Sequence, residues 1–292
     1  MAKGVCVIGG MNMDITGVPA ASLLFGDSNP GSIRMTPGGV GRNMAENLAR
    51  MGFTVELMAP LGHDGFAHLL EKACCSMGIG LRYAPRLPLD SGVYLCVMDG
   101  RGDMHVAIND MALCEAMEPN MVDMEAVNAH GCALLDANLP EAVLSRVAEE
   151  ATVPLVADPV SVAKARRLLP LLPRLFAIKP NLMEAQFLTG EEDPAACARA
   201  LCRLGVKRAF VSAGAQGLYY CAEDGDGHAK APIVNVVNAT GAGDSASAAI
   251  TAGCLLGFGA EKTAQLACRV AALTLQASSA VSPMLTAAML QY

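Results

Sequence analysis

Six short apolar runs recur along the chain: "KGVCVIGG", "FTVELMAP", "CALLDANLP", "VPLVADP", "LFAIKPN" and "KRAFVSAG". Most of them stop at glycine, proline, asparagine or aspartate, as strands do where they leave a sheet. Helical stretches lie between them, among them Val40–Met51, Gly65–Met77 and Pro194–Leu204. In the first, Val40, Met44, Leu48 and Met51 share one face, while Arg42, Glu46 and Arg50 stack four apart on another. Strands that alternate with helices pair in parallel and bury both faces, so the pattern predicts a doubly wound α/β sheet.

Two segments break the alternation. Residues 14–36 and 91–108 read as strand pairs, with turns at Asp27–Gly31 and Asp99–Gly102 and no helix to cover them. Together they predict a small sheet that stands off the main one as a lid. No repeat, low-complexity tract or long linker interrupts the 292 residues, which are expected to form a single domain, 1–292.

Composition excludes several classes. A net charge of −7 leaves no basic stripe for nucleic acid. No apolar run reaches the roughly 18 residues of a membrane span, and the start "MAKGVCVIGGMNMD" is too short in its apolar part for a leader, so a cytoplasmic protein is expected. Eleven scattered cysteines without CxxC spacing read as reduced, mostly buried thiols. There is no Gly-Lys dipeptide for a Walker A loop, no GxGxxG in "VIGGMNMD", and no HExxH or GxSxG.

Open α/β sheets bind ligands beyond the carboxyl ends of their strands. Those ends carry Asn12 and Asp14, the glycines of "TPGGVGRN" ahead of Asn43, then Asn138, Asp158, "KPNLMEA" and "VSAGAQG". A glycine-lined crevice rich in amides and carboxylates, without His or Cys, suits a hydroxyl-rich ligand. The most informative stretch is "NATGAGDSAS". With Thr240 as N-cap, Gly241, Ala242 and Gly243 would present free amides to an anion, and Asp244 would stand beside it as a proton acceptor. Asp244 can also be read as a dipole-stabilising acid in a helix's first turn and nothing more, and Asn12 and Asp14 as turn formers.

"GGMNMD", "PGGVGRN", "KPNLMEA", "VSAGAQG" and "NATGAGD", in this order and spacing, resemble the ribokinase-like (PfkB) sugar and nucleoside kinases over essentially the whole chain. The resemblance implies a three-layer α/β/α sandwich with a mostly parallel sheet and a small β-lid. It implies an ATP- and Mg²⁺-dependent phosphotransferase with Asp244 as base and the amides of Gly241, Ala242 and Gly243 as anion hole. Asn12, Asp14, Gly39, Asn43 and Asn138 would hold the substrate. Asn181, Ser212, Gly214 and Gly217 would hold the nucleotide, and Glu184 the metal, through water. A homodimer through the lid is implied too.

Within the family, "DSNPGSIRMTPGGVGRNMAENLARMG", "VAIND" and "DPVSVAK" resemble the members that phosphorylate the 5′-hydroxyl of pseudouridine. Another nucleoside, or ribose or fructose, is the alternative substrate, and a nucleoside-binding regulator on the same fold is the non-enzymatic one. Ser28, Asn29 and Asn109 are candidate base contacts, and Lys164 is read as a solvated lysine, with reach to the ligand as the alternative. Three departures stand out. Asn238-Ala239 replace the family's usual Asp-Thr, which argues against K⁺ activation. Val40 replaces the lysine of ribokinases proper. The last helices, "AQLACRVAALTLQASSAV", carry no distinctive adenine-binding residue.

Overall fold

The computed structural model describes residues 4–99 and 103–291, and each of the six apolar runs contains a strand. The sheet order is Arg208–Ser212, Ala177–Ile178, Leu155–Asp158, Cys132–Asp136, Val5–Ile8, Val55–Met58 and Ile79–Gly80, with every neighbour parallel. An antiparallel hairpin of Leu218–Ala222 and Gly225–Ala229 extends it beyond Arg208–Ser212 to nine strands.

Side chains along each central strand alternate between two cores. Val5 and Val7 join the cluster built on the helices Val40–Arg50, Ala242–Leu255 and Ala260–Leu275. Cys6 and Ile8 join the opposite cluster, under Glu141–Glu150, Leu182–Thr189 and Pro194–Arg203. Burial on both faces is why the strands read as unbroken apolar runs, and it produces the expected three layers. The three predicted helices are Val40–Arg50, Gly65–Ser76 and Pro194–Arg203, each with the last predicted residue as its C-cap.

A separate four-stranded sheet has the order Gly31–Gly38, Asn12–Pro19, Gly92–Met98, Met104–Asp110. It grows directly from the end of Val5–Ile8, with only three residues between Ile8 and Asn12. Its second entry point, Ser91, is held by Asp64, which accepts the Ser91 amide at 2.9 Å and its hydroxyl at 2.7 Å. Between Pro19 and Gly31 the chain runs as a longer loop rather than a tight turn. At the other turn, the amide of Asp99 donates to Asp103 at 2.7 Å, and Gly100, Arg101 and Gly102 lie outside the described residues.

All eleven cysteines are free thiols, most of them buried. Among the described residues no helix is long and apolar enough to cross a membrane.

The polar face of Val40–Arg50 is not a solvated one. Arg42 and Glu46 are only 6% and 7% exposed. Glu46 bridges Arg42 at 2.5 Å and Arg50 at 2.8 Å, and Arg42 also donates to the Pro37 carbonyl at 3.1 Å, tying the helix to the second sheet. Removing one partner of such a buried network leaves uncompensated charge. Glu46→Ala is therefore expected to cost about 3–5 kcal/mol, read as a lower urea midpoint with an unchanged m-value.

Candidate active site

The strand Val5–Ile8 lies between Val55–Met58 and Cys132–Asp136. The chain crosses to the first of these through Val40–Arg50 and only later fills the other side, so a crevice opens at their carboxyl ends. Asp136 closes its floor. It is fully buried, its Oδ2 accepts the Gly10 amide at 2.8 Å, and its Oδ1 accepts the Asn138 amide at 2.8 Å. Burial, with Asp158 nearby, pushes its pKa up to about 6 in spite of those bonds.

Above this floor lie the residues expected to hold a hydroxyl-rich ligand. Asn12 donates to Asp14 at 2.7 Å, and burial raises the Asp14 carboxyl against that bond. Asn138 packs on Gly10 and accepts from Lys164 Nζ at 2.5 Å, so Lys164 is a partner of the crevice rather than a solvated lysine. Gly39 has φ 96°, and a Cβ there would stand 2.6 Å from Met11 Cα and 2.7 Å from the Gly10 carbonyl oxygen. Only glycine lets the Val40 helix start this close to the first strand.

Asn43, one turn into that helix, reaches across to the second element of the site and donates to Asp244 Oδ2 at 2.8 Å. The Ala242 helix begins differently from the sequence expectation. Its N-cap is Gly241, with φ 82°, and no side chain caps it. The Thr240 amide instead donates to Asn238 Oδ1 at 3.0 Å. The reason is steric: a Cβ on residue 241 would lie 1.9 Å from the Ala280 carbonyl oxygen. No side chain caps the helix start, and its first residues, Ala242 and Gly243, line an open cavity.

Asp244 is half-buried at this helix start. Burial first, then the charges of Asp158 and Asp136, raise its pKa to about 7, opposed by the bond from Asn43 and the charge of Lys179. A carboxylate in that range both loses and accepts protons near neutral pH.

On the other side of Asp244 lies a cavity of about 540 Å³. Ser212, Gly214 and Gly217 of the expected nucleotide group line it beside Ala242 and Gly243 of the expected anion hole, together with Ile233, Val236, Cys268, Ala271 and Leu275. Cys268, on the helix Ala260–Leu275, belongs to this cavity rather than to the strand ends of the crevice. The last helices contribute through small residues that leave room, a signal with no motif to find it by.

Asn181 is joined to this side by a bridge to Ser212. Asn181 and Glu184 form a reciprocal capping box: Glu184 Oε2 accepts the Asn181 amide at 2.9 Å, Oε1 accepts Asn181 Nδ2 at 2.8 Å, and the Glu184 amide donates back at 2.9 Å. Glu184 is only 2% exposed, and burial raises its pKa.

Lys179 was not singled out by the sequence reading, although it opens the quoted "KPNLMEA". Its ammonium lies 3.3 Å from Asp158 Oδ2, which also accepts the Ser247 hydroxyl at 2.6 Å. Burial alone would lower the lysine pKa, but Asp158, Glu184 and Asp244 together raise it. The three base-contact candidates fare unevenly. Asn29 is occupied within its own loop, accepting the Leu24 amide at 2.8 Å, while Ser28 and Asn109 are exposed.

The structure thus gathers the expected residues into two groups, a carboxylate–amide crevice and a small-residue cavity, joined at Ala242-Gly243-Asp244. Residues 2–287 match the model of the pfkB family of carbohydrate kinases. The chain belongs to that family. It is a phosphotransferase of the nucleoside and sugar kinase type, with a hydroxyl group as acceptor. Similar proteins include the pseudouridine kinase of Escherichia coli strain K12, 35% identical over 84% of this chain and 82% of the relative. The guanosine-inosine kinase of Exiguobacterium acetylicum is 28% identical over 92% of this chain and 93% of its own. Among solved structures, the ribokinase of Arabidopsis thaliana complexed with ribose and ATP shares the fold at a TM-score of 0.87, with 23% identity over the full length of both chains.

The kinase carries a pH signature in its stability. Asp244 has a folded pKa near 7 against an ordinary 3.8, so the folded state binds the proton more tightly than the unfolded state. The carboxylate therefore destabilises the fold above pH 7, and this penalty fades as pH falls through the folded value toward the unfolded one. Asp244→Asn is expected to melt several degrees higher than the parent at pH 8 and at the same temperature near pH 4, as scanning calorimetry would show.

Proposed function

We propose that this kinase transfers the γ-phosphoryl group of ATP to the 5′-hydroxyl of pseudouridine. The observation that carries the reading is the position of Asp244: a carboxylate with a pKa near 7, at an uncapped helix N-terminus, between the cavity and the amide-rich crevice. The similarity to a pseudouridine kinase over most of both chains supports the choice of substrate.

In this reading Asn12, Asp14, Gly39, Asn43 and Asn138 bind the ribosyl hydroxyls and turn the 5′-hydroxyl toward Asp244. Asp244 accepts the hydroxyl proton as the new P–O bond forms. The amides of Gly241, Ala242 and Gly243 hold the charge that builds on the phosphoryl oxygens. Ser212, Gly214 and Gly217 take the nucleotide along the cavity. Both oxygens of Glu184 are engaged by Asn181, so this pair would hold Mg²⁺ through water. The metal neutralises triphosphate charge when bound. Asn238, in place of an aspartate, is used on the Thr240 amide, which supports turnover independent of K⁺.

The chain is read as one kinase domain, and the second sheet as a lid that closes the crevice against water. Its strands place Ile33, Met35, Leu95, Val106 and Ile108 on one face, and all of them are exposed. That apolar face supports pairing of two copies through the lid. Ile33→Glu together with Ile108→Glu is expected to convert a dimer to a monomer in analytical ultracentrifugation, and a parent that sediments as a monomer refutes the pairing.

The catalytic reading is tested by ADP release with Mg·ATP against pseudouridine, uridine, guanosine, inosine, ribose and fructose, with and without K⁺. Pseudouridine is expected to be preferred, yielding the 5′-phosphate. Preference for another acceptor would leave the kinase and remove the substrate assignment, and binding without turnover on every acceptor would indicate a regulator. Asp244→Asn should lower kcat by around 10²-fold with substrate binding nearly intact. Because the base must be ionised, kcat/KM should rise with pH and level off above about 7.

A further inference from the structure

The polar groups around the start of the Ala242 helix are out of charge balance. Asp136, Asp158 and Glu184 are buried and Asp244 is half-buried beside them; Lys179 faces Asp158, Glu184 and Asp244, while Lys164, the other lysine of the crevice, is held by Asn138. A triphosphate entering such a place meets four acids, and a migrating phosphoryl group passes next to Asp244 itself. Coulomb repulsion at these separations is weakly screened, because the neighbouring strands exclude water.

Lys179 stands among three of these acids. It follows the strand Ala177–Ile178, its backbone amide is fixed to the Ala157 carbonyl at 3.1 Å, and its side chain is 5% exposed. The ammonium lies only 3.4 Å from where a Cβ on Gly243 would be. Gly243 in turn lines the cavity and directly precedes Asp244. Asp158, the lysine's ion-pair partner, is well supplied without it: Oδ2 accepts from Ser247 and Oδ1 accepts the Val160 amide at 2.8 Å. An ammonium has three donors, and the ion pair to Asp158 uses one.

We propose that Lys179 is the cation of the phosphoryl-transfer step, its ammonium turning from Asp158 behind Gly243 to the oxygens of the migrating group. The proposal rests on the reading of the site given above. The acceptor oxygen forms its bond to the γ-phosphorus and gives its proton to Asp244. The bond from that phosphorus to the bridging oxygen breaks, and ADP leaves with the electron pair. Lys179 keeps its protons throughout and acts by charge and hydrogen bonding, most strongly where the phosphoryl oxygens carry the most charge.

The test compares Asp158→Asn with Asp158→Asn/Lys179→Met, so that the loss of the lysine does not strand its carboxylate partner. Circular dichroism melts establish that both fold. Removal of Lys179 from the Asp158→Asn background is expected to lower kcat by about 10²-fold. ADP affinity in calorimetry should stay within about threefold. The affinity for ADP with aluminium fluoride and pseudouridine, a mimic of the planar phosphoryl group, should fall in step with kcat. Equal kcat in the two folded variants overturns the proposal. So does a parallel loss of ADP affinity, which would make Lys179 a ground-state binding group. A parent chain that binds no ADP overturns the nucleotide reading itself, and this result is distinguishable from the other two.

Discussion

The central strands are covered on both faces, and this constraint governs where chemistry can occur in the molecule. Val5 and Val7 are buried in one core and Cys6 and Ile8 in the other, with no exposure at any of the four. A polar side chain within such a strand would meet hydrocarbon on either side and have no partner. Polar groups therefore gather where the strands end: Asn12 and Asp14 beyond the first, Asp136 and Asn138 at the next, then Asp158, Lys179 and Ser212.

Crowding acids at one rim has an energetic consequence that the fold meets locally. Asp136 accepts two backbone amides, Asp158 an amide, a hydroxyl and an ammonium, and Glu184 both donors of its cap. Asp244 has one side-chain donor, Asn43, and is the carboxyl whose pKa rises furthest. The least satisfied acid is thus the one at the open helix end. Alongside burial, a thinner hydrogen-bond supply sets Asp244, the proposed base, apart from the other three acids.

Much of this was legible in the sequence because it depends on local rules. Runs such as "VPLVADP" end where a strand must, and the helix Val40–Arg50 was readable from its period. "NATGAGD" marked a glycine-built helix start, the turn proposed to hold an anion, because glycine at that place has a steric cause, now visible as the approach of Gly241 to Ala280. The same reasoning failed at Thr240, where a good capping residue lost its role to a neighbour in the left-handed region. The four-residue spacing of Arg42, Glu46 and Arg50 was legible too, but spacing does not tell whether a helix face meets water or another element, and here Arg42 and Glu46 are buried.

By itself the sequence determined the strand and helix alternation, the off-standing second sheet and the residues at the strand ends, because each depends on neighbours within about one turn or one hairpin. The tertiary structure alone decided which of those ends meet. Asn43 and Asp244 are 201 residues apart along the chain and 2.8 Å apart in space. Lys179 became part of the site only when the strand before it packed beside Leu155–Asp158 and faced the Ala242 helix. Charge compensation is a property of distances across the sheet, and no local pattern encodes those distances.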